Sequence, residues 1–124
     1  KAIALVESNL KNDSIGKNRD KKNNIKSVDY GLMQINQMHI PMLKKRGIIK
    51  DERDLLDNPC LNIKIGTEIL YNHFSRCGVT WQCLGTYNAG FAMENKKKRL
   101  QYAKKIYVVY TRLNEIDKRK ALAK

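Results

Sequence analysis

Apolar residues recur along this chain at intervals that predict helices separated by polar breaks. Ile3, Val6 and Leu10 share one face of a first helical segment, from Lys1 to about Leu10. From Lys11 to Val28 the pattern dissolves into Asn, Asp, Gly, Ser and Lys, which predicts a loop or a weak hairpin. Tyr30 to Ile35 is a compact apolar run. It reads as a short strand or a buried turn leading into a helix near Gln37 to Arg46, where Pro41 suits the first turn. Asn58-Pro59 opens the next helix, striped by Leu61, Ile65, Ile69 and Leu70 through Phe74. A helix from about Thr80 to Tyr87 follows, with Trp81 expected in the core, and Asn88-Ala89-Gly90 breaks it. Leu100, Ala103, Ile106, Tyr107, Tyr110 and Leu113 then mark a long helix from about Lys97 to Lys118, which assigns Tyr102, Tyr107 and Tyr110 to packing. The expected fold class is mainly α, as an α+β chain with a small β element between Asn18 and Ile35. The 124 residues fit one domain spanning 1–124, without repeat or linker.

Composition narrows the class. At 42% apolar the chain is no disordered tail, and no apolar run approaches the roughly 20 residues of a membrane helix. The formal net charge of +13 draws it toward polyanions: nucleic acid, anionic lipid or bacterial cell wall. Each basic run taken singly (Lys21-Lys22, Lys44-Lys45-Arg46, Lys96 to Arg99, Lys104-Lys105, Lys118 to Lys120) reads as a solvated face; their sum argues for a negatively charged partner. Cys77 and Cys83 bracket a short loop around Gly78 that a small disulfide could close, leaving Cys60 alone. No Cys-x-x-Cys pair exists and His39 and His73 stand apart in sequence, so no metal or other cofactor is expected. The opening Lys1-Ala2-Ile3-Ala4-Leu5-Val6 reads as the middle of a helix without a capping residue, which predicts that an upstream segment has been removed.

The chemistry centres on carboxylates. Glu7 follows an apolar helix face and can sit partly desolvated at the edge of a core, where burial raises a carboxyl pKa toward the range a general acid needs. A second carboxylate, Asp29, follows 22 positions later, beyond the polar loop. Cleaving a glycosidic bond requires a proton for the leaving oxygen and a group that stabilises or traps an oxocarbenium-like transition state. Taken alone, Glu7 reads as a solvated helix charge and Asp29 as the cap of a turn before Tyr30-Gly31.

Three short motifs occur in order. Glu7-Ser8 is the first. Gly31-Leu32-Met33-Gln34, within Asp29-Tyr30-Gly31-Leu32-Met33-Gln34-Ile35-Asn36, is the second. Thr86-Tyr87-Asn88-Ala89-Gly90 is the third. They resemble the motifs of soluble lytic transglycosylases in the lysozyme-like superfamily, except that Thr86 stands where Ala is usual. The resemblance runs from Ala2 to about Tyr110. It is nearest to the small transglycosylases that accompany type III and type IV secretion systems and pili, which Asn58-Pro59-Cys60-Leu61 also resembles.

The resemblance implies that Glu7 is the catalytic acid acting on peptidoglycan glycan strands. It would protonate the oxygen between N-acetylmuramic acid and N-acetylglucosamine, then take the proton of the muramic C6 hydroxyl as a 1,6-anhydro ring closes. Ser8, Met33, Gln34, Asn36, Tyr87 and Asn88 match positions that bind substrate or orient the acid. It further implies a Cys77–Cys83 disulfide, an upstream partner for Cys60, a secretion-system or pilus component as protein partner, and the periplasm, an oxidising compartment.

Asp29-Tyr30-Gly31 with Gln34-Ile35-Asn36 is also similar to c-type lysozymes around their second carboxylate. By that likeness Asp29 would stabilise or attack the cation and the reaction would be hydrolysis; Asp20 is a weaker candidate for the same role. A basic nucleic-acid-binding domain is a third reading, although no reader motif is present. A non-catalytic wall-binding scaffold is a fourth, and the intact Glu7 argues against it.

Overall fold

Nine helices and strands form among the described residues. The computed structural model describes residues 1–123. In chain order they are α1 (Ala2–Ser8), β1 (Ile15–Arg19), β2 (Ile25–Tyr30), β3 (Ile35–Asn36), α2 (Ile40–Lys45), α3 (Asp54–Asp57), α4 (Pro59–Cys77), α5 (Trp81–Ala89) and α6 (Lys96–Ala123). Single 3-10 turns precede α2 and α6, at Gln37–His39 and Met93–Asn95. No helix among the described residues is long and apolar enough to cross a membrane.

The chain forms two compact units: Glu7–Thr67, and Lys1–Val6 with the chain from Glu68 on. In the Glu7–Thr67 unit, α1 stops where Asn9 and Leu10 adopt positive φ values of 53° and 62°. Left-handed backbone is costly for residues other than glycine and cannot continue an α-helix. The polar stretch that follows is the expected hairpin, and its two strands belong to an antiparallel sheet in the order β1-β2-β3. The register sets Gly16 opposite Asp29, Asn18 opposite Ser27, and Asp29 opposite Asn36. Pro41 lies in the first turn of α2, as its missing N–H and fixed φ favour. The short α3 had no periodic signal, since one turn is too brief to show one. Leu32, Met33, Ile35, Leu43, Ile49, Leu55 and Ile65 are the buried apolar side chains here.

In the other unit Ala2, Tyr102 and Ile106 are the buried centre, with Ile3, Val6, Leu84, Tyr87, Val109 and Leu113 packed on it. Thr80 caps α5, its side chain accepting from the Cys83 N–H. Gly90 ends α5 with φ 71°. Gly85 lets α5 approach α6 closely, because a Cβ there would collide with the backbone carbonyl of Arg99. The packing assignment for Tyr102 matches its burial. Trp81 differs from expectation: it is 42% exposed, with its ring edge-on to Tyr107 and Tyr110 at centroid distances of 5.2 and 6.0 Å. It sits in the first turn of α5, at the surface, where helical periodicity cannot distinguish an inward from an outward residue.

Candidate active site

Glu7 is half-buried in the last turn of α1. Its neighbour Ser8 is only 6% exposed and donates its hydroxyl to Leu32 O at 2.8 Å. This bond ties the end of α1 to the second-motif turn, Gly31 to Gln34, so the structure brings the first two motifs together.

That turn is built around a residue the sequence reading passed over. Asn62, on α4, is 0% exposed. Its Nδ2 donates to Tyr30 O and Leu55 O, both at 2.9 Å, and its Oδ1 accepts from the Met33 N–H at 2.8 Å. Gly31 has φ 76°, and a Cβ there would run into the Asn62 amide. Gly66 leaves room for the Met33 side chain, which is buried, with the nearest Met33 carbon 2.6 Å from where a Cβ would stand. Gln34 closes the turn in left-handed conformation, φ 51°. Its Nε2 donates to Gly31 O at 2.9 Å and Ser14 O at 3.2 Å, while its Oε1 occupies the space above Gly16 that any side chain would fill. The only advance sign of Asn62 was a polar residue inside an apolar helical stripe.

Asp29 is half-buried at the end of β2, and both of its oxygens are engaged. Oδ2 accepts from Asn18 Nδ2 at 3.0 Å and Oδ1 from Asn36 Nδ2 at 2.8 Å. Both amides also reach Ser27 Oγ, at 2.9 and 3.3 Å. Asn36 Oδ1 accepts from the Met38 N–H at 3.0 Å, which orients its amide so that the NH2 group faces Asp29. Period-two alternation puts Ser27 and Asp29 on one face of β2, and the antiparallel register sets Asn18 and Asn36 beside them. Asn18 is therefore a site residue that sequence reading missed, since only pairing of β1 with β2 makes it Asp29's neighbour. Asp20 lies elsewhere, exposed at the hairpin tip, where Oδ1 accepts from the Lys22 and Asn24 N–H groups at 2.9 Å each.

Tyr87 and Asn88 belong to the other unit, in the last turn of α5. Tyr87 is half-buried at the edge of that unit's apolar cluster, and Asn88 is exposed. Cys77 and Cys83 form the disulfide, joining the end of α4 to α5, while Cys60 is an exposed free thiol.

A glutamate at a helix end, an aspartate on an adjoining antiparallel sheet and a helical remainder define the class: an α+β fold of the lysozyme-like kind. The model of the transglycosylase SLT domain family matches residues 1–110, and the chain belongs to that family. It is 93% identical over 124 residues to a peptidoglycan-binding-like protein of Escherichia coli O157:H7, covering all of this chain and 74% of that protein. It is 42% identical over 116 residues to invasion protein IagB of Salmonella typhi, covering 94% of this chain and 68% of the relative. With protein IpgF of Shigella flexneri the identity is 37% over 113 residues, 91% of this chain and 70% of the relative.

Proposed function

We propose that this chain is a peptidoglycan lytic transglycosylase that cleaves the β-1,4 bond between N-acetylmuramic acid and N-acetylglucosamine with Glu7 as its catalytic acid. The observation that carries this reading is the family match over residues 1–110, which includes a half-buried Glu7 whose helix end Ser8 braces against the second motif. Glu7 gives its proton to the bridging oxygen as the bond from that oxygen to muramic C1 breaks. Its carboxylate then accepts the proton of the C6 hydroxyl as O6 bonds to C1. The enzyme returns to its starting state and no water is consumed.

Ser8, Met33, Gln34 and Asn36 serve this reaction chiefly by shape. Their polar groups hold the turn and the Asp29 carboxyl, while Tyr87 and Asn88 supply contacts to the glycan from the third motif. The Cys77–Cys83 disulfide supports an exported, periplasmic protein. The invasion-protein name of the Salmonella relative supports local wall opening beside a secretion apparatus.

One observation favours a second reading. Asp29 is held by two amide donors as an oriented, half-buried carboxyl, which is the provision a muramidase makes for a group that stabilises or traps the cation. Mass spectrometry of digested peptidoglycan separates the two, with anhydromuropeptides expected and reducing ends pointing to hydrolysis. Glu7→Gln should abolish lysis with the fold intact; continued cleavage by that variant would remove Glu7 from the chemistry.

A further inference from the structure

The third motif is held from several sides within its own unit. His73 Nδ1 and Thr86 Oγ1 lie 2.7 Å apart. Thr86 Oγ1 also donates to Cys83 O at 2.6 Å. A threonine hydroxyl has one proton and two lone pairs. With that proton committed to the Cys83 carbonyl, the imidazole must donate, so His73 Nδ1 carries a hydrogen. Just past the motif, the Phe91 ring lies 5.0 Å from the His73 ring and 3.9 Å beneath the Arg76 guanidinium. Asn95 Nδ2 donates to Ala89 O at 3.0 Å, and Arg99 Nη1 donates to Gly90 O and Ala92 O at 3.1 and 2.6 Å. Exposed Asn88 thus lies in a segment anchored on both sides.

Thr86 is also the position where the chain departs from the Ala-Tyr-Asn pattern. An alanine there could accept nothing from His73. Burying a hydroxyl is unfavourable unless it is hydrogen-bonded, and the buried Thr86 hydroxyl is bonded twice. The departure and its histidine partner make one device.

We infer that His73 is a positioning residue for Tyr87 and Asn88, acting through its Nδ1–H bond to Thr86. The inference rests on the proposal that these two residues contact the glycan. Thr86 immediately precedes them, so anchoring its side chain sets the rotation of α5 about its axis and the direction in which the pair leaves the helix. A binding group must be held to a fraction of an ångström to be useful, and its own supporting contacts provide that hold.

The test compares His73→Leu, His73→Gln and the double variant His73→Leu/Thr86→Ala in the full chain. Leucine keeps most of the volume and loses the donor, whereas glutamine can present an N–H to Thr86. His73→Leu should lower kcat/KM on intact peptidoglycan about tenfold. It should also speed hydrogen exchange of the Gly90 amide, which bonds to Thr86 O at 2.8 Å, with the disulfide and far-ultraviolet dichroism unchanged. Glutamine should restore both readouts, and the double variant should lose less than His73→Leu alone. A leucine variant with wild-type kinetics and exchange, or a glutamine variant as impaired as the leucine one, would overturn the inference. Exchange is read without turnover. A wild-type chain that cleaves no peptidoglycan would therefore refute the functional proposal, while exchange would still decide the role of His73.

Discussion

Replacing Asn62 with leucine removes three hydrogen bonds at once. The side chain is fully buried, and its amide satisfies Tyr30 O, Leu55 O and Met33 N–H. Leucine has the same branched arrangement of side-chain heavy atoms but no polar atom, leaving two carbonyls and one N–H buried without these partners. Each such group costs about 1–3 kcal/mol. The gross loss is then roughly 3–9 kcal/mol, and the added apolar burial of leucine returns about 1–2 kcal/mol. A net destabilisation of about 1–8 kcal/mol follows, against the roughly 5–15 kcal/mol that holds a typical domain. Urea unfolding followed by dichroism, with wild type and variant compared at equal m-value, measures it directly. The damage should centre on the turn from Gly31 to Gln34, so amide exchange of Met33 and Gln34 should accelerate more than that of α5 and α6. A loss below about 1 kcal/mol would mean that the turn reorganises to satisfy itself and that Asn62 is not its keystone.

Asp29→Asn sets an NH2 group against one of the two amides that now donate to the carboxyl; if Asp29 stabilises the cation, wall lysis should fall about tenfold or more. Wild-type activity from this variant would leave Asp29 a brace of the sheet. Burial lowers the His39 pKa below its ordinary 6.5. The unfolded chain therefore takes up a proton near that pH before the folded one does. The stability that neutral His39 supports is present above about pH 6.5 and lost as pH falls through the depressed value. His39→Gln should flatten the decline of urea midpoints between pH 7 and about pH 5, and an unchanged slope would exclude His39 as its source. Titration of the native chain with a thiol reagent should find one reactive sulfhydryl, Cys60. Reducing the Cys77–Cys83 bond, which spans a sequence separation of 6, should cost about 2 kcal/mol by loop-closure entropy, read as a lowered Tm.

The local signals in the sequence determined much of this protein. Apolar periodicity, Pro41 and Pro59 at helix starts, and Asn88-Ala89-Gly90 at a helix end set out the main helices. The polar stretch after Leu10 indicated the hairpin, because short-range propensities act over a few residues. Motif order brought out Glu7, and the Cys77–Cys83 spacing suited a bond that exists. Tertiary structure decided what depends on pairing across distance. The strand register, invisible in composition, made Asn18 and Asn36 the holders of Asp29. A helix 32 positions away from Tyr30 supplied the amide that folds the second motif. Trp81 lies at the surface, which the sequence did not show because a helix's first turn offers too few periods to mark its inward face. Thr86, read as a mere departure from a pattern, acquired a meaning only when the fold set His73 against it. Hydrogen-bond partners are chosen by three-dimensional proximity, and a sequence records only the groups available to be chosen.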